Sequence, residues 1–288
     1  MAGPELVARW TEEQAALAAR VVERDPPGWT GDWNLLGGLD ISFIIGESAT
    51  ACAGYVVLDR RLEVVWRETV MVSLTTPYIP GYLAFRSGLQ CCVFDFYHYE
   101  INIFITIREA APLLELVTHQ REVRPDLTPT ALLVDGNGVL HPRLCGVACH
   151  IGLATGLPTV GVAKSLHQLP ELGPQFSRMA VQARLAGPAA PPRSIELTTT
   201  AGRVLAAAVL PVARVTNPVF VSVGSGLSLA AAVALVSTCA RHRVPEPVRQ
   251  ADILSREYLR LHHPTTRQQQ QSKLNGKKRN MSTNTNNE

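Results

Sequence analysis

Long apolar runs are missing from this sequence. None reaches the roughly 20 residues that a membrane-spanning helix needs. The nearest, Gly226 to Cys239, is too short and is broken by serines and a threonine, so it reads as a buried helix. Cysteine is sparse as well. Cys52, Cys91, Cys92, Cys145, Cys149 and Cys239 are scattered without a C-x-x-C pair, and reduced thiols are the expected state. Net charge is almost absent, at +3 over 288 residues. The segment 261–288 alone contributes +4 through Arg267, Lys273, Lys277, Lys278 and Arg279 against Glu288, which leaves about −1 for the rest. Wholesale charge-driven coating of nucleic acid or membrane is therefore not indicated by the charge sum, which leaves room for a local basic groove. Met1 to Glu5 carries no basic stretch leading into an apolar core, so the expectation is a protein that is not secreted.

What is present describes a globular chain. Hydrophobic residues make up 46% and charged residues 18%, enough for a sizeable core and incompatible with disorder over the whole length. Thr11 with Gln14 as a capping box, and Ala16, Leu17 and Val21 on one face, predict a helix over 5–24. Strands are expected at about 36–45, 50–58 and 62–73, joined by short links as in an antiparallel meander. A helix over 109–122 follows, then a continuously apolar strand at 130–134 of the buried parallel kind. Beyond it come a helix near 145–155, strands at 158–163, 203–212 and 219–223, and helices near 226–240 and 246–260. Residues 184–196, rich in Pro and Ala, read as a surface loop. The order predicts one α/β domain over 1–260 with a mixed sheet, an antiparallel β1–β3 meander followed by parallel strands and flanked by helices. Residues 261–288, with four consecutive glutamines, read as a disordered low-complexity tail. Residues 87–107 do not fit this order. They combine Cys91 and Cys92 with a cluster of Phe and Tyr and end in a β-branched run, a composition that aggregates when exposed.

Four acids stand at telling places: Asp40 inside the first apolar strand, Asp135 at the end of the buried strand, Glu109 at the start of a helix, and Asp252 in the last helix. An acid in a central strand is costly unless it is paired or binds a metal. Two such acids, joined by others from helices, suit two Mg²⁺ ions flanking a phosphoryl displacement. A strand-end acid that simply caps a turn is the plainer alternative for each alone. Asp135-Gly136-Asn137-Gly138 is not a calcium loop, because Val139 and Leu140 stand where an oxygen ligand and a glycine are required. His141, Cys145, Cys149 and His150 lack paired zinc spacing and read as buried thiols with neighbouring imidazoles. Pro77-Tyr78-Ile79-Pro80-Gly81 is a stiff aromatic turn, either an ordinary turn or a wedge for a base step. Lys164 is either a phosphate contact or a solvated lysine.

Together these pieces resemble the endonuclease V family, which acts at deoxyinosine or inosine on a ribonuclease H-like fold. The matching stretches are Gly38 to Phe43, Pro77 to Gly81, Arg108-Glu109, Leu133 to Arg143, Gly161 to Lys164, and Pro245 to Asp252, the last in the animal form. The resemblance implies metal ligation by Asp40, Asp135 and Glu109, with Asp252 as the fourth catalytic acid near the nucleophilic water. It implies a wedge at Tyr78 within Pro77, Ile79, Pro80 and Gly81. Gly136, Gly138 and Val147 would line the pocket that reads hypoxanthine, and His141 and Lys164 would lie close to the scissile strand. Mg²⁺ is the implied cofactor, with Mn²⁺ as a substitute. The implied partner is inosine-containing single-stranded RNA, or deoxyinosine-containing DNA, cut at the second phosphodiester 3′ to the modified base to leave 3′-hydroxyl and 5′-phosphate ends. A monomer that does not engage membranes is expected, in the cytoplasm or in the nucleus and nucleolus.

Two departures stand out. Ser225 and Gly226 replace the family's His and basic residue, and residues 87–107 separate Phe85-Arg86 from Arg108-Glu109 where the family runs on without a break. Three functions follow as rivals: an inosine-directed endoribonuclease, a DNA repair nuclease of the same chemistry, and an inosine-RNA binding protein disabled by the insertion.

Overall fold

A computed structural model of the chain describes residues 4–44, 50–73, 110–166, 169–187 and 190–262. The turn at 77–81, Glu109, the segment 87–107 and nearly all of the tail lie outside these residues.

The predicted meander forms as β1 (Leu35–Phe43), β2 (Thr50–Asp59) and β3 (Val64–Ser73), each antiparallel to its neighbour. β4 (Ala131–Asp135) adds parallel to β1, and β5 (Thr159–Ala163) adds parallel to β4. From there the sheet turns antiparallel again through β8 (Val219–Ser225), β7 (Val204–Leu210) and β6 (Arg193–Thr198). The order across the eight strands is β3-β2-β1-β4-β5-β8-β7-β6. Only β1, β4 and β5 form the parallel run, and they hold the centre.

Helices cover both faces, so the central strands are buried on both sides and read as unbroken apolar runs. On one face α2 (Ala110–Val123) and α3 (Val147–Thr155) pack Leu113, Leu116 and Ile151 onto Leu39, Tyr55, Leu132 and Val134. Trp10 of α1 (Pro4–Ala18) joins the same cluster. On the other, α5 (Leu229–Thr238) and the start of α6 (Glu246–His262) cover Leu36, Leu133, Val160, Val162 and Val221. Each fully buried Leu or Ile contributes about 1.5–3 kcal/mol, and both layers are needed to hold the five-residue central strands in place. α6 buries Val248, Ala251, Ser255 and Leu259 at helical spacing and turns Arg256 and Arg260 outward. Among the described residues no helix is long and apolar enough to cross a membrane.

Three local expectations are corrected. The first helix stops at Ala18 rather than near 24, because the following chain is captured elsewhere: Val22 N–H donates to Ser225 Oγ, and Gly226 N–H donates to Val22 O. Thr11 and Gln14 lie inside that helix and form no capping box. Residues 184–196 are not one loop. α4 (Arg178–Leu185), capped by Ser177, occupies its start, and β6 begins at Arg193. β6 is an edge strand that buries only Leu197 fully, too faint an alternation to stand out beside the prolines.

Candidate active site

Strand register brings the first two acids together. In the parallel pair β1/β4, Leu39 lies opposite Val134; one residue further along are Asp40 and Asp135, neighbours at the carboxyl end of the sheet's centre. Asp135 is registered with Val162 on β5. Lys164 lies two residues beyond Val162 and so on the same face. α6 lies across that face and supplies Asp252. The ligand oxygens of Asp40, Asp135 and Asp252 all fall within 4.8 Å of one another.

Lys164 knits the acids together. Its Nζ stands 2.6 Å from Asp135 Oδ2 and 3.0 Å from Asp252 Oδ1. Arg256 reaches the same Asp252 oxygen at 2.9 Å from the solvent side. Asp40 is 3% exposed and, among the described residues, has no such cation of its own. Burial above all, then the hydrogen bond to Asp135 and that residue's charge, push its pKa up to about 8 against the pull of Lys164. Burial works against the Lys164 ammonium, but Asp135 and Asp40 outweigh it and hold its pKa above the ordinary lysine value. At neutral pH the three acids are thus balanced by the Lys164 ammonium, the Arg256 guanidinium and a carboxyl proton. Three carboxylates at this spacing are a hard-cation donor set, and the internal Lys164 ammonium marks where positive charge is wanted.

A cavity of about 350 Å³ opens beside the acids, with Ile41, Phe43, Leu113 and Val147 as its apolar wall. Asp40, Asp135, Gly136 and Lys164 line its polar side. Gly136 has φ +143°, and a Cβ there would lie 2.6 Å from Val147 Cγ1, so a side chain would both strain the turn and close the cavity. Of the residues proposed for base reading and strand contact, Gly136, Val147 and Lys164 therefore meet at one cavity. Gly138 and His141 do not line it. Gly138 packs against β8, its N–H donating to Ser222 Oγ at 2.8 Å, and His141 Nδ1 accepts from Arg143 N–H at 3.2 Å. Ser225 and Gly226 pair with Val22, away from the acids. Among the described residues, Cys145, Cys149 and His150 form no metal-competent group, and the four described cysteines are buried thiols.

Sequence reasoning missed the supports of this site. Ser42 and Ser255 both approach Asp40 Oδ2 at 3.0 Å. Arg243 donates to the carbonyl of Lys164 and, at 2.9 and 3.1 Å, to those of Pro218 and Asn217. Gln14 donates to Cys145 O at 2.5 Å and accepts from Arg143 Nε, fixing the loop that leads into α3. Ser42 stands in the Gly38–Phe43 motif and was within reach of a sequence reading; the others meet these partners 25 to 215 residues away.

The sequence model of the family described as Endonuclease V matches residues 15–94 and 96–253, breaking at residue 95 inside the 87–107 segment. Human endonuclease V is 45% identical over 262 residues, covering 89% of this chain and 84% of the human protein. The chain belongs to the endonuclease V family. It is a nuclease that hydrolyses phosphodiester bonds, and the ribonuclease H-like architecture expected from the resemblance is borne out. The crystal structure of the human endonuclease V catalytic domain superimposes with a TM-score of 0.78 at 44% identity, over 90% of this chain and 98% of that one. A Ciona intestinalis endonuclease V, crystallised with a 23mer DNA containing an inosine followed by a ribo-adenosine, gives a TM-score of 0.76 at 30% identity, over 90% and 99% of the two chains.

Proposed function

We propose that this endonuclease V family member is a Mg²⁺-dependent endoribonuclease that cuts inosine-containing single-stranded RNA at the second phosphodiester 3′ to inosine, leaving 3′-hydroxyl and 5′-phosphate ends. The observation that carries the reading is the convergence of Asp40, Asp135 and Asp252 within 4.8 Å at the mouth of an apolar-walled cavity. Asp40 and Asp135 would hold Mg²⁺, or Mn²⁺ in its place, with Glu109 joining from the residue before α2. Bound there, the metal supplies charge neutralisation at the scissile phosphate and a more acidic water. Asp252 faces the same point from α6 and would orient and deprotonate the attacking water. Lys164 exchanges its carboxylate partners for a phosphate oxygen when the strand arrives. The wall formed by Phe43, Leu113 and Val147 offers a planar base a dry surface once it has left the stack, and Tyr78 would fill the gap left behind. The ribo-adenosine that follows inosine in the Ciona complex supports a ribonucleotide on the 3′ side.

The test is cleavage of a 5′-labelled single-stranded RNA bearing one inosine, beside its all-DNA counterpart and an adenosine control. The expected result is Mg²⁺-dependent cutting of the inosine RNA, one labelled product band ending one nucleotide past the modified position, and none with Asp135→Asn. Faster cutting of the DNA would replace the reading with deoxyinosine repair. Tight binding of the inosine RNA without any cutting would replace it with a binding protein.

A further inference from the structure

Two hydroxyls converge on one oxygen of Asp40. Ser42 Oγ, on β1 two residues along, lies 3.0 Å from Asp40 Oδ2. Ser255 Oγ, on α6, lies 3.0 Å from the same atom and 2.8 Å from Ser42 Oγ. Ser255 is fully buried, and Ser42 is 7% exposed. Ser255 has one proton and two further acceptors in reach, Ser42 Oγ and the carbonyl of Asp252 at 3.2 Å. Once a cation displaces the proton that Asp40 holds in the metal-free protein, Asp40 is an ionised carboxylate, and a hydrogen bond to it is about twice as strong as one to a neutral carbonyl, so the Ser255 proton goes to Asp40. Ser42 donates to Oδ2, and Ser255 donates to Oδ2 directly or reaches it through Ser42 Oγ.

The contact depends on how closely α6 lies on the sheet. A Cβ at Gly38 would fall 1.9 Å from the Pro247 carbonyl oxygen, and one at Gly54, which stands opposite Asp40 in the β1/β2 register, 2.8 Å from that of Ala251. Only hydrogen at these two positions lets the helix backbone come this near. The approach places Ser255 on Asp40 one turn after α6 has delivered Asp252.

We infer that Ser255 and Ser42 are positioning residues for the metal: their hydroxyls hold Asp40 Oδ2 and so present Oδ1 to the cation. This rests on the reading of the acids as a metal site. Outer partners that orient a ligating group typically account for ten- to hundredfold in metal affinity. A cavity-filling role alone would leave metal affinity untouched.

The test is Mn²⁺ binding to the enzyme without substrate, followed by the electron paramagnetic resonance signal of free Mn²⁺. Wild type, Asp40→Ala, Ser255→Ala, Ser42→Ala, the double serine variant and Ser42→Thr are compared, with the melting temperature of each in EDTA as the folding control. The expected result is about tenfold weaker binding in each serine-to-alanine variant, a greater loss in the double variant, and recovery in Ser42→Thr, which keeps the hydroxyl. Wild-type affinity in Ser42→Ala and Ser255→Ala, with Asp40→Ala binding weakly, would overturn the clamp and leave the metal site standing. Absence of binding in wild type would overturn both. Should Ser255→Ala melt early, Ser42→Ala decides by the same measure.

Discussion

The Lys164 ammonium sits 2.6 Å from Asp135 Oδ2, so the residue expected to meet the substrate phosphate is engaged with a residue expected to hold the metal. In the substrate-free protein this ion pair, extended to Asp252, supplies part of the positive charge that a divalent cation would bring. The two therefore compete. Lys164→Gln is expected to bind Mn²⁺ severalfold more tightly than wild type while cutting at least tenfold more slowly, because the phosphate loses its cation. Parallel metal titrations and single-turnover rates check this. Weaker metal binding in the variant would show that Lys164 assists the metal instead.

Asp40 makes metal-free stability depend on pH. Its pKa is raised from 3.8 to about 8 by burial and by Asp135, so between those values the folded state keeps a proton that the unfolded chain has lost. Stability therefore falls as pH rises from about 4 to 8. Asp40→Asn removes that dependence. In EDTA its melting temperature should exceed that of wild type by a margin that grows from pH 5 to pH 8 and vanishes toward pH 4. Parallel curves for the two proteins would refute the assignment.

Arg243 is expected to matter for both stability and rate. Its guanidinium satisfies three backbone carbonyls, including that of Lys164, and no shorter or neutral side chain reaches all three. Arg243→Met should cost about 2–3 kcal/mol from lost charged hydrogen bonds, roughly 5–10 °C in melting temperature. Single-turnover cleavage below the new melting temperature should still be slower by about tenfold, because the chain carrying Lys164 has lost its tether. A variant that melts early but cuts at the wild-type rate would confine Arg243 to folding.

The segment 87–107 lies between the turn bearing Tyr78 and the acid Glu109, and the family match breaks within it. Loop length alone adds little free-energy cost, but an apolar, aromatic insertion needs burial or promotes association. Deleting residues 87–107 should raise soluble yield and raise specific activity severalfold. Equal solubility and rate in the two proteins would mark the insertion as harmless.

Much of this site was legible in the chain because it depends on short-range pattern. An acid after three apolar residues in a strand, as at Asp135, is anomalous whatever surrounds it, and the Gly38–Phe43 motif places Asp40 the same way. Strands β1, β2, β4 and β5 were legible for a similar reason, since strands buried on both faces must be written in apolar residues, and edge strand β3 was legible through its run of β-branched residues. Edge strand β6 and short helix α4 were not, since half-burial leaves an alternation that the neighbouring prolines obscure. Gln14 shows the limit most plainly. Three residues after Thr11 it has the spacing of a capping box, yet it lies within a helix and holds Cys145, 131 residues away. Local sequence states which hydrogen bonds a side chain is able to make, and only the fold decides which partner arrives. Asp40 and Asp135 became neighbours through parallel register, Asp252 joined them because glycines let α6 lie on the sheet, and Ser255 and Arg243 acquired their roles by the same packing. The types of residue that the chemistry needs are properties of the chain, whereas their distances, the proton held by Asp40 and the competition at Lys164 arise only where distant segments are buried together.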